Sequence, residues 1–245
     1  MKNILITGAS RGIGKATALQ LGKNKNYRII VNYEKNKDLA ENVVEEIRHM
    51  GQDAIAIGAD VADYDKVKAM HEKIKEQFGP VDILINNAGI AKCRLFQEIP
   101  PEDWKRIFDV NVHGMYNNIQ QVLPSMISRK EGEIINISSI WGLCGGAMES
   151  DYAATKAAII SLTKSLAKEC SYSGIRINAI APGAVDTDML HQLSDEVLDQ
   201  VVDETPLGRL GKVEDVANLI EFMLSEKCRF MTGQIISPNG GFVIL

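Results

Sequence analysis

Cysteine is scarce and unpatterned in this chain. Its four cysteines, Cys93, Cys144, Cys170 and Cys228, stand far apart with no C-x-x-C spacing, which weighs against a disulfide framework and offers no metal-ligand set. Free, buried thiols in a reducing cytoplasm are expected instead. Positive charge is also in deficit. With 27 Lys and Arg against 32 Asp and Glu, the formal net charge is −5, so neither nucleic acid nor an anionic membrane surface is an expected partner. No apolar run approaches the length of about 18 residues that a membrane span requires. The opening residues, MKNILITG, enter a strand at once and leave no room for a signal peptide. Linker-like, low-complexity and repeated segments are missing too. The expectation is a cytoplasmic protein whose residues 1–245 form one domain, with 45% hydrophobic residues to fill a core.

What the chain does contain is an alternation of short apolar strands and helical stretches at βαβ spacing. That pattern predicts an α/β fold, a doubly wound Rossmann-type domain whose parallel sheet carries helices on both faces. Ligands in such sheets bind beyond the strand C-termini, where the strand order reverses. The first strand, Lys2 to Thr7, runs into Gly8-Ala9-Ser10-Arg11-Gly12-Ile13-Gly14 and then a helix. A glycine-rich turn between strand and helix lets backbone approach a phosphate closely, and the helix N-terminus favours its charge. The spacing is neither the G-x-G-x-x-G fingerprint nor a P-loop, because Ala16 follows Gly14-Lys15.

The second strand, Arg28 to Tyr33, ends in Asn32 and Tyr33 rather than the carboxylate that favours NAD. With Arg11 in the glycine loop, NADP(H) is expected over NAD(H). Two other readings stay open: Glu34 serves the ribose, or Arg11 faces solvent. Asp60-Val61 closes the third strand, where the carboxylate or the following backbone suits an adenine. A turn aspartate is the commoner use of that residue type, and Asp63 is a candidate to begin the next helix. The fourth strand ends in Asn86-Asn87-Ala88-Gly89, a small polar floor for a cofactor ring. A helix is expected from Pro101 to Leu123, with Asn111 marking either a kink that binds water or an exposed position.

A fifth strand ends at Ser138-Ser139, a glycine-rich loop follows, and a helix starts near Ser150 or Asp151, whose side chains suit its open N–H groups. Tyr152 and Lys156 share one face of that helix at i, i+4. Tyr-x-x-x-Lys also occurs at Tyr33/Lys37 and Tyr64/Lys68, so setting rather than pattern singles out the third copy. A free phenol has a pKa of roughly 10; the ammonium and the positive helix end are expected to lower it towards proton exchange at neutral pH. Ser139 would hold a carbonyl or alcohol oxygen opposite the phenol. The face formed by Ala153, Ala154, Ala157, Ala158 and Ser161 suits packing against the sheet or another subunit. Beyond the sixth strand come Pro182-Gly183-Ala184-Val185-Asp186-Thr187, then a polar, mobile-looking lid from about Met189 to Thr205.

The strings TGASRGIG, NNAG, Asn111, Ser139 with Tyr152-x-x-x-Lys156, and PG followed by Thr187 occur here in one order and spacing. On them the chain resembles the classical short-chain dehydrogenases/reductases over essentially its whole length. Within that family it is most similar to the β-ketoacyl-ACP reductase branch, through VDILINNAGI, NVHGMYNN, PLGRLGKVEDVAN and MTGQIISPNGG. The resemblance implies reduction of a 3-oxoacyl thioester, on acyl-carrier protein or CoA, by hydride from NADPH. It implies Tyr152 as general acid, Lys156 on the nicotinamide ribose, Ser139 on the substrate oxygen and Asn111 holding a water. Gly8, Ser10, Arg11, Gly12, Ile13 and Gly14 would cradle the phosphates, with Arg11 on the 2′-phosphate. Asp60 and Val61 would hold the adenine, and Asn87, Ala88 and Gly89 the ribose. Pro182, Gly183, Val185 and Thr187 would line the nicotinamide end, with Val185 and Thr187 at its carboxamide. It also implies a homotetramer, and no metal. One departure is Ser173 before Gly174, where some carrier-protein reductases have a basic docking residue; Arg129 and Lys130 are the nearby alternatives. Another ketone or alcohol, such as acetoacetyl-CoA, a hydroxysteroid, a sugar or a polyol, is the competing substrate class.

Overall fold

Seven strands make one parallel sheet in a computed structural model that describes residues 1–244; Leu245, the last residue of the expected domain, lies outside the described residues. The strands are β1 (Lys2–Ile6), β2 (Tyr27–Tyr33), β3 (Ala54–Gly58), β4 (Ile83–Asn86), β5 (Gly132–Ile137), β6 (Ile175–Ile180) and β7 (Ile235–Ile236). Their order is β3-β2-β1-β4-β5-β6-β7. The chain winds outwards from β1 to β3, then returns to lay β4 on the other side of β1. The β1/β4 boundary is therefore where strand order reverses, and a crevice opens beyond it.

The main helices are α1 (Gly12–Leu21), α2 (Lys37–His49), α3 (Tyr64–Phe78), α4 (Pro101–Phe108), α5 (Gly114–Arg129), α6 (Trp141–Cys144), α7 (Ser150–Cys170), α8 (Asp195–Glu204) and α9 (Val213–Leu224). Side chains alternate across each strand, so Ile4 and Ile6 point into one core while Leu5 points into the other. The first core joins Ile29, Val31, Ile83 and Ile85 to α1, α2 and α9, and the second joins Ile30, Leu84, Ile134 and Ile177 to α3, α5 and α7. Burial on both faces explains why the strands read as continuous apolar runs. The expected doubly wound α/β class holds.

Three segments differ from expectation. The helix expected from Pro101 to Leu123 is interrupted by a π-helical turn at Asp109–His113 and extends past Pro124 to Arg129. The turn coincides with Asn111, whose side chain leaves the helix surface to bind Ile90. Pro124 is tolerated because losing one N–H kinks a helix without having to end it. The glycine-rich loop contains the single-turn helix α6. The lid segment is structured rather than irregular: a short turn at Leu190–Gln192 leads into α8. Glu149 is the N-cap of α7 without a side-chain cap, and Asp151, in the first turn, accepts the Tyr152 N–H at 2.8 Å. Ser150, the alternative, buries its hydroxyl without a partner among the described residues.

Candidate active site

The crevice begins with a threonine that sequence reading passed over. Thr7, just past β1, accepts the backbone N–H groups of Asn87 and Ala88, each at 3.0 Å. Asn87 answers through its amide, donating to the Thr7 and Gly8 carbonyls at 2.9 and 3.1 Å. These bonds lock the glycine loop to the end of β4. Gly8 has φ +62° and lies so near Ala88 that a Cβ would come within 2.9 Å of its Cα, so both conformation and space demand glycine. Asn87 is thus a brace for the loop, with its amide N–H groups already bonded.

Arg11 stands at the N-cap of α1 without a side-chain cap, and no acidic residue occupies the first turn. The open N–H groups of Gly12, Ile13 and Gly14 therefore form an anion site at a helix N-terminus. That arrangement fits a pyrophosphate. Ser10 lies half-buried in the same loop. The Arg11 guanidinium pairs with Asp188 at 3.1 Å, both side chains being exposed. A Cβ on Gly12 would lie 3.5 Å from the Thr187 side chain, which brings the segment after β6 to the phosphate loop.

At the next strand ends the acids are already engaged. Asp60 makes a turn, accepting from Ala62 N–H at 3.0 Å, and its other oxygen meets Arg106 at 3.1 Å. Asp63 is the N-cap of α3, accepting from Lys66 N–H. Val61 is buried beside them. Asn32 is buried as well, accepting the Gly8 N–H at 3.3 Å and donating to the Ala59 carbonyl at 3.1 Å.

Ser139 follows β5, and its Oγ accepts the Trp141 N–H at 3.2 Å, which leaves the hydroxyl hydrogen free to donate. Across from it stands Tyr152 on α7, close enough for the Ser139 hydroxyl to act on its phenol. One turn on, Lys156 is buried, and its ammonium donates to the Ile137 carbonyl at 2.8 Å. Its Nζ lies 5.3 Å from the centroid of the Tyr152 ring. Gly89 and Asn111 complete this corner: a Cβ on Gly89 would be 3.5 Å from Lys156 Nζ and 3.4 Å from Asn111 Oδ1. Asn111 is buried, not an exposed helix residue. It accepts from Ile90 N–H at 2.8 Å and donates to the Ile90 carbonyl and Thr155 Oγ1, each at 3.0 Å. Thr155 in turn donates to the Tyr152 carbonyl at 2.7 Å. Ser138 donates to the Lys156 carbonyl at 2.8 Å, and α6 packs so closely that a Cβ on Gly142 would sit 2.6 Å from the Lys156 carbonyl carbon.

Burial dominates the electrostatics of this corner. Desolvation, aided by the nearby Glu149 carboxylate, pushes the Tyr152 phenol above its ordinary value, with the Ser139 hydrogen bond opposing. The ammonium of Lys156 lies over the ring face beside Ile137, where it does not offset that desolvation. Burial instead lowers Lys156 itself to about 8. A neutral phenol is a proton donor, so the arrangement suits an acid more than a base. Glu149 is raised too, mainly by desolvation, with the nearby Trp141 side chain opposing.

The last wall comes from β6. Ile140 N–H donates to the Pro182 carbonyl at 3.0 Å, and Gly183 N–H to the Pro238 carbonyl at 3.1 Å. Val185 bridges to Gly211, and Thr187 donates to the Val185 carbonyl at 3.2 Å. Arg129 lies elsewhere: it pairs with Asp82 and donates to the Val81 carbonyl, at the N-terminal end of the sheet away from Ser139. Among the described residues no cluster suits a metal ion. Among the described residues no helix is long and apolar enough to cross a membrane.

Sequence reading missed Thr7, Thr155, Arg106, Trp141 and Glu149. Only Thr7 carried a signal, a hydroxyl at the point where an apolar strand meets the glycine loop.

Comparison with known proteins followed this geometry. The model of the short chain dehydrogenase family matches residues 2–198. A Staphylococcus aureus protein named 3-oxoacyl-[acyl-carrier-protein] reductase FabG is 46% identical over 240 residues, covering 98% of this chain and 97% of the relative. A Thermotoga maritima protein of the same name is 37% identical over 243 residues, covering 99% and 98%. A 3-oxoacyl-[acyl-carrier-protein] reductase from Synechocystis is 39% identical over 241 residues, covering 98% and 96%.

Proposed function

The chain belongs to the short-chain dehydrogenase family, and on that premise we propose that it reduces a 3-oxoacyl thioester, carried on acyl-carrier protein, to the 3-hydroxyacyl thioester with NADPH. The observation that carries the reading is the meeting of Ser139, Tyr152 and Lys156 at one end of a crevice whose other end is an uncapped helix N-terminus. Relatives named for this reaction span the whole chain.

Bound reduced nicotinamide would supply the hydride. The α1 N-terminus, with Gly12, Ile13 and Gly14, would hold the pyrophosphate, and Lys156, Gly89, Val185 and Thr187 the nicotinamide end. Ser139 donates its free hydroxyl hydrogen to the substrate carbonyl oxygen, polarising it. Tyr152 delivers its proton to that oxygen as negative charge develops there. A phenol with its ordinary value of roughly 10 is already protonated at neutral pH, so Tyr152 carries the proton that reduction consumes. Lys156, mostly protonated at neutral pH with a pKa of about 8, supplies the positive charge that stabilises the phenolate left behind. Asn111 braces α7 through Thr155, which fixes where Tyr152 points.

The 2′-phosphate preference rests on Asn32 and Tyr33, rather than a carboxylate, at the end of β2, and on Arg11 in the glycine loop. The assembly is read as a homotetramer, for which the exposed Ala157 and Ser161 on α7 and Tyr116 and Ile127 on α5 provide unpartnered faces. Work in the cytoplasm follows from the same reading.

The deciding assay follows oxidation of NADPH and NADH with acetoacetyl-ACP and acetoacetyl-CoA in parallel. Fast NADPH oxidation with the carrier-protein substrate is expected. Activity with NADH alone, or with neither thioester, would redirect the assignment to hydroxysteroids, sugars or polyols.

A further inference from the structure

Arg106, on α4, reaches both carboxylates at the adenosine end of the crevice. Its Nη1 lies 3.1 Å from Asp60 Oδ2, and its Nη2 lies 3.4 Å from Glu34 Oε1. Glu34 follows directly on β2, and Asp60 comes two residues after β3. Lys35 lies 3.7 Å from the same Glu34 oxygen. The three bridged side chains are 40%, 42% and 22% exposed for Arg106, Glu34 and Asp60, so the bridge stands at the open mouth of the crevice.

Dinucleotide sites of this type use an acid near the end of the second strand to bind a ribose 2′-hydroxyl, or an arginine to admit a 2′-phosphate. This chain has both kinds of residue and pairs them with each other. Arg11, in the glycine loop, already faces Asp188 at 3.1 Å. We propose that Arg106 is a cofactor-selecting residue: by holding Glu34 and Asp60 it lets a 2′-phosphorylated adenosine dock beside two carboxylates that would otherwise repel it. The planar guanidinium fork suits this role, since it meets two carboxylates at once where a lysine offers one point charge. Without Arg106 the cluster would hold two carboxylates against the single ammonium of Lys35. The inference rests on the NADPH reading given above.

The test is calorimetric titration of the full-length protein with 2′,5′-ADP and with ADP at low ionic strength, where exposed charges are least screened. Wild type is expected to favour 2′,5′-ADP. Arg106→Gln is expected to lose about tenfold for 2′,5′-ADP, because two unneutralised carboxylates then face the added phosphate at low ionic strength, with little change for ADP. Glu34→Gln in the same chain should recover most of that loss, and Arg106→Lys should fall between. Equal weakening of both fragments in Arg106→Gln, as a merely structural role would produce, overturns the proposal. So does an unchanged preference, or failure of Glu34→Gln to rescue. A wild type without preference for 2′,5′-ADP overturns the NADPH reading and this proposal together. Should Arg106→Gln not fold, Glu34→Gln alone decides: freeing Arg106 should raise the preference for 2′,5′-ADP, and no rise overturns the proposal.

Discussion

The ammonium of Lys156 lies over the face of the Tyr152 ring, 5.3 Å from its centroid, held there by the Ile137 carbonyl at 2.8 Å. The two side chains share a helix face, as their spacing requires, yet the cation does not touch the phenol oxygen. Tyr152 is therefore set as an acid by its surroundings, and Lys156 acts on it through space.

Removing that acid should separate chemistry from binding. Tyr152→Phe deletes only the hydroxyl, so ketone reduction is expected to fall by about 10²–10⁴-fold. Fluorescence titration should show NADPH affinity within a few-fold of wild type. A comparable loss of affinity would mean that the hydroxyl serves the cofactor rather than the proton.

Burial of Lys156 has a pH signature. Its folded pKa, about 8, lies below the ordinary lysine value of 10.5, so between those values the unfolded chain binds more protons than the folded one. Stability contributed by this site therefore rises with pH through that window, by at most about 1.4 kcal/mol per unit. Urea unfolding of wild type and Lys156→Met at pH 7, 8.5 and 10 should show the difference moving in favour of wild type as pH rises. A flat or falling difference would mean that the amine is not desolvated.

Thr7→Val keeps the shape of the side chain but removes the acceptor of two backbone N–H groups. Each orphaned group costs roughly 1–3 kcal/mol if buried. A loss of about 2 kcal/mol in chemical denaturation is expected, together with weaker cofactor binding as the glycine loop loosens. Unchanged stability would show that the loop is held by Asn87 alone.

Gly142→Ala forces a methyl against the Lys156 backbone, with its nearest neighbours at 2.6 to 2.9 Å. Overpacking of this kind costs about 1–3 kcal/mol, and here it must push α6 and α7 apart. Melting temperature and turnover should drop together. Loss of stability with full turnover would show that the Ser139–Tyr152 spacing tolerates movement of α7.

Much of the architecture could be read before any coordinates. Runs such as Ile4-Leu5-Ile6 and Ile83-Leu84-Ile85 are apolar on both faces, and only a strand covered twice uses them. Strand ends then placed Gly8, Asp60, Asn87, Ser139 and Val185 at one end of the sheet. Local sequence does not report what a long side chain reaches. Arg106 finds Glu34 and Asp60 across 72 and 46 positions of sequence, and nothing near it in the chain marks that reach. Lys156 shows the same limit: helical spacing put it beside Tyr152, but its orientation and lowered pKa depend on the carbonyl of Ile137 and on burial by other elements.

The π-helical turn at Asp109–His113 amounts to one extra residue in an otherwise regular helical rod. Each residue turns a helix by about 100°, so the insertion rotates everything downstream relative to everything upstream. Arg106 and Ile107 on one side, and Met115, Ile119 and Val122 on the other, keep their present partners only while that count is kept. In evolutionary terms the segment tolerates exchange of letters more readily than a change of length. A single-residue deletion between Phe108 and Gly114 would leave a smoother helix, but it would release Asn111 from Ile90 and Thr155 and uncouple the two ends of the crevice.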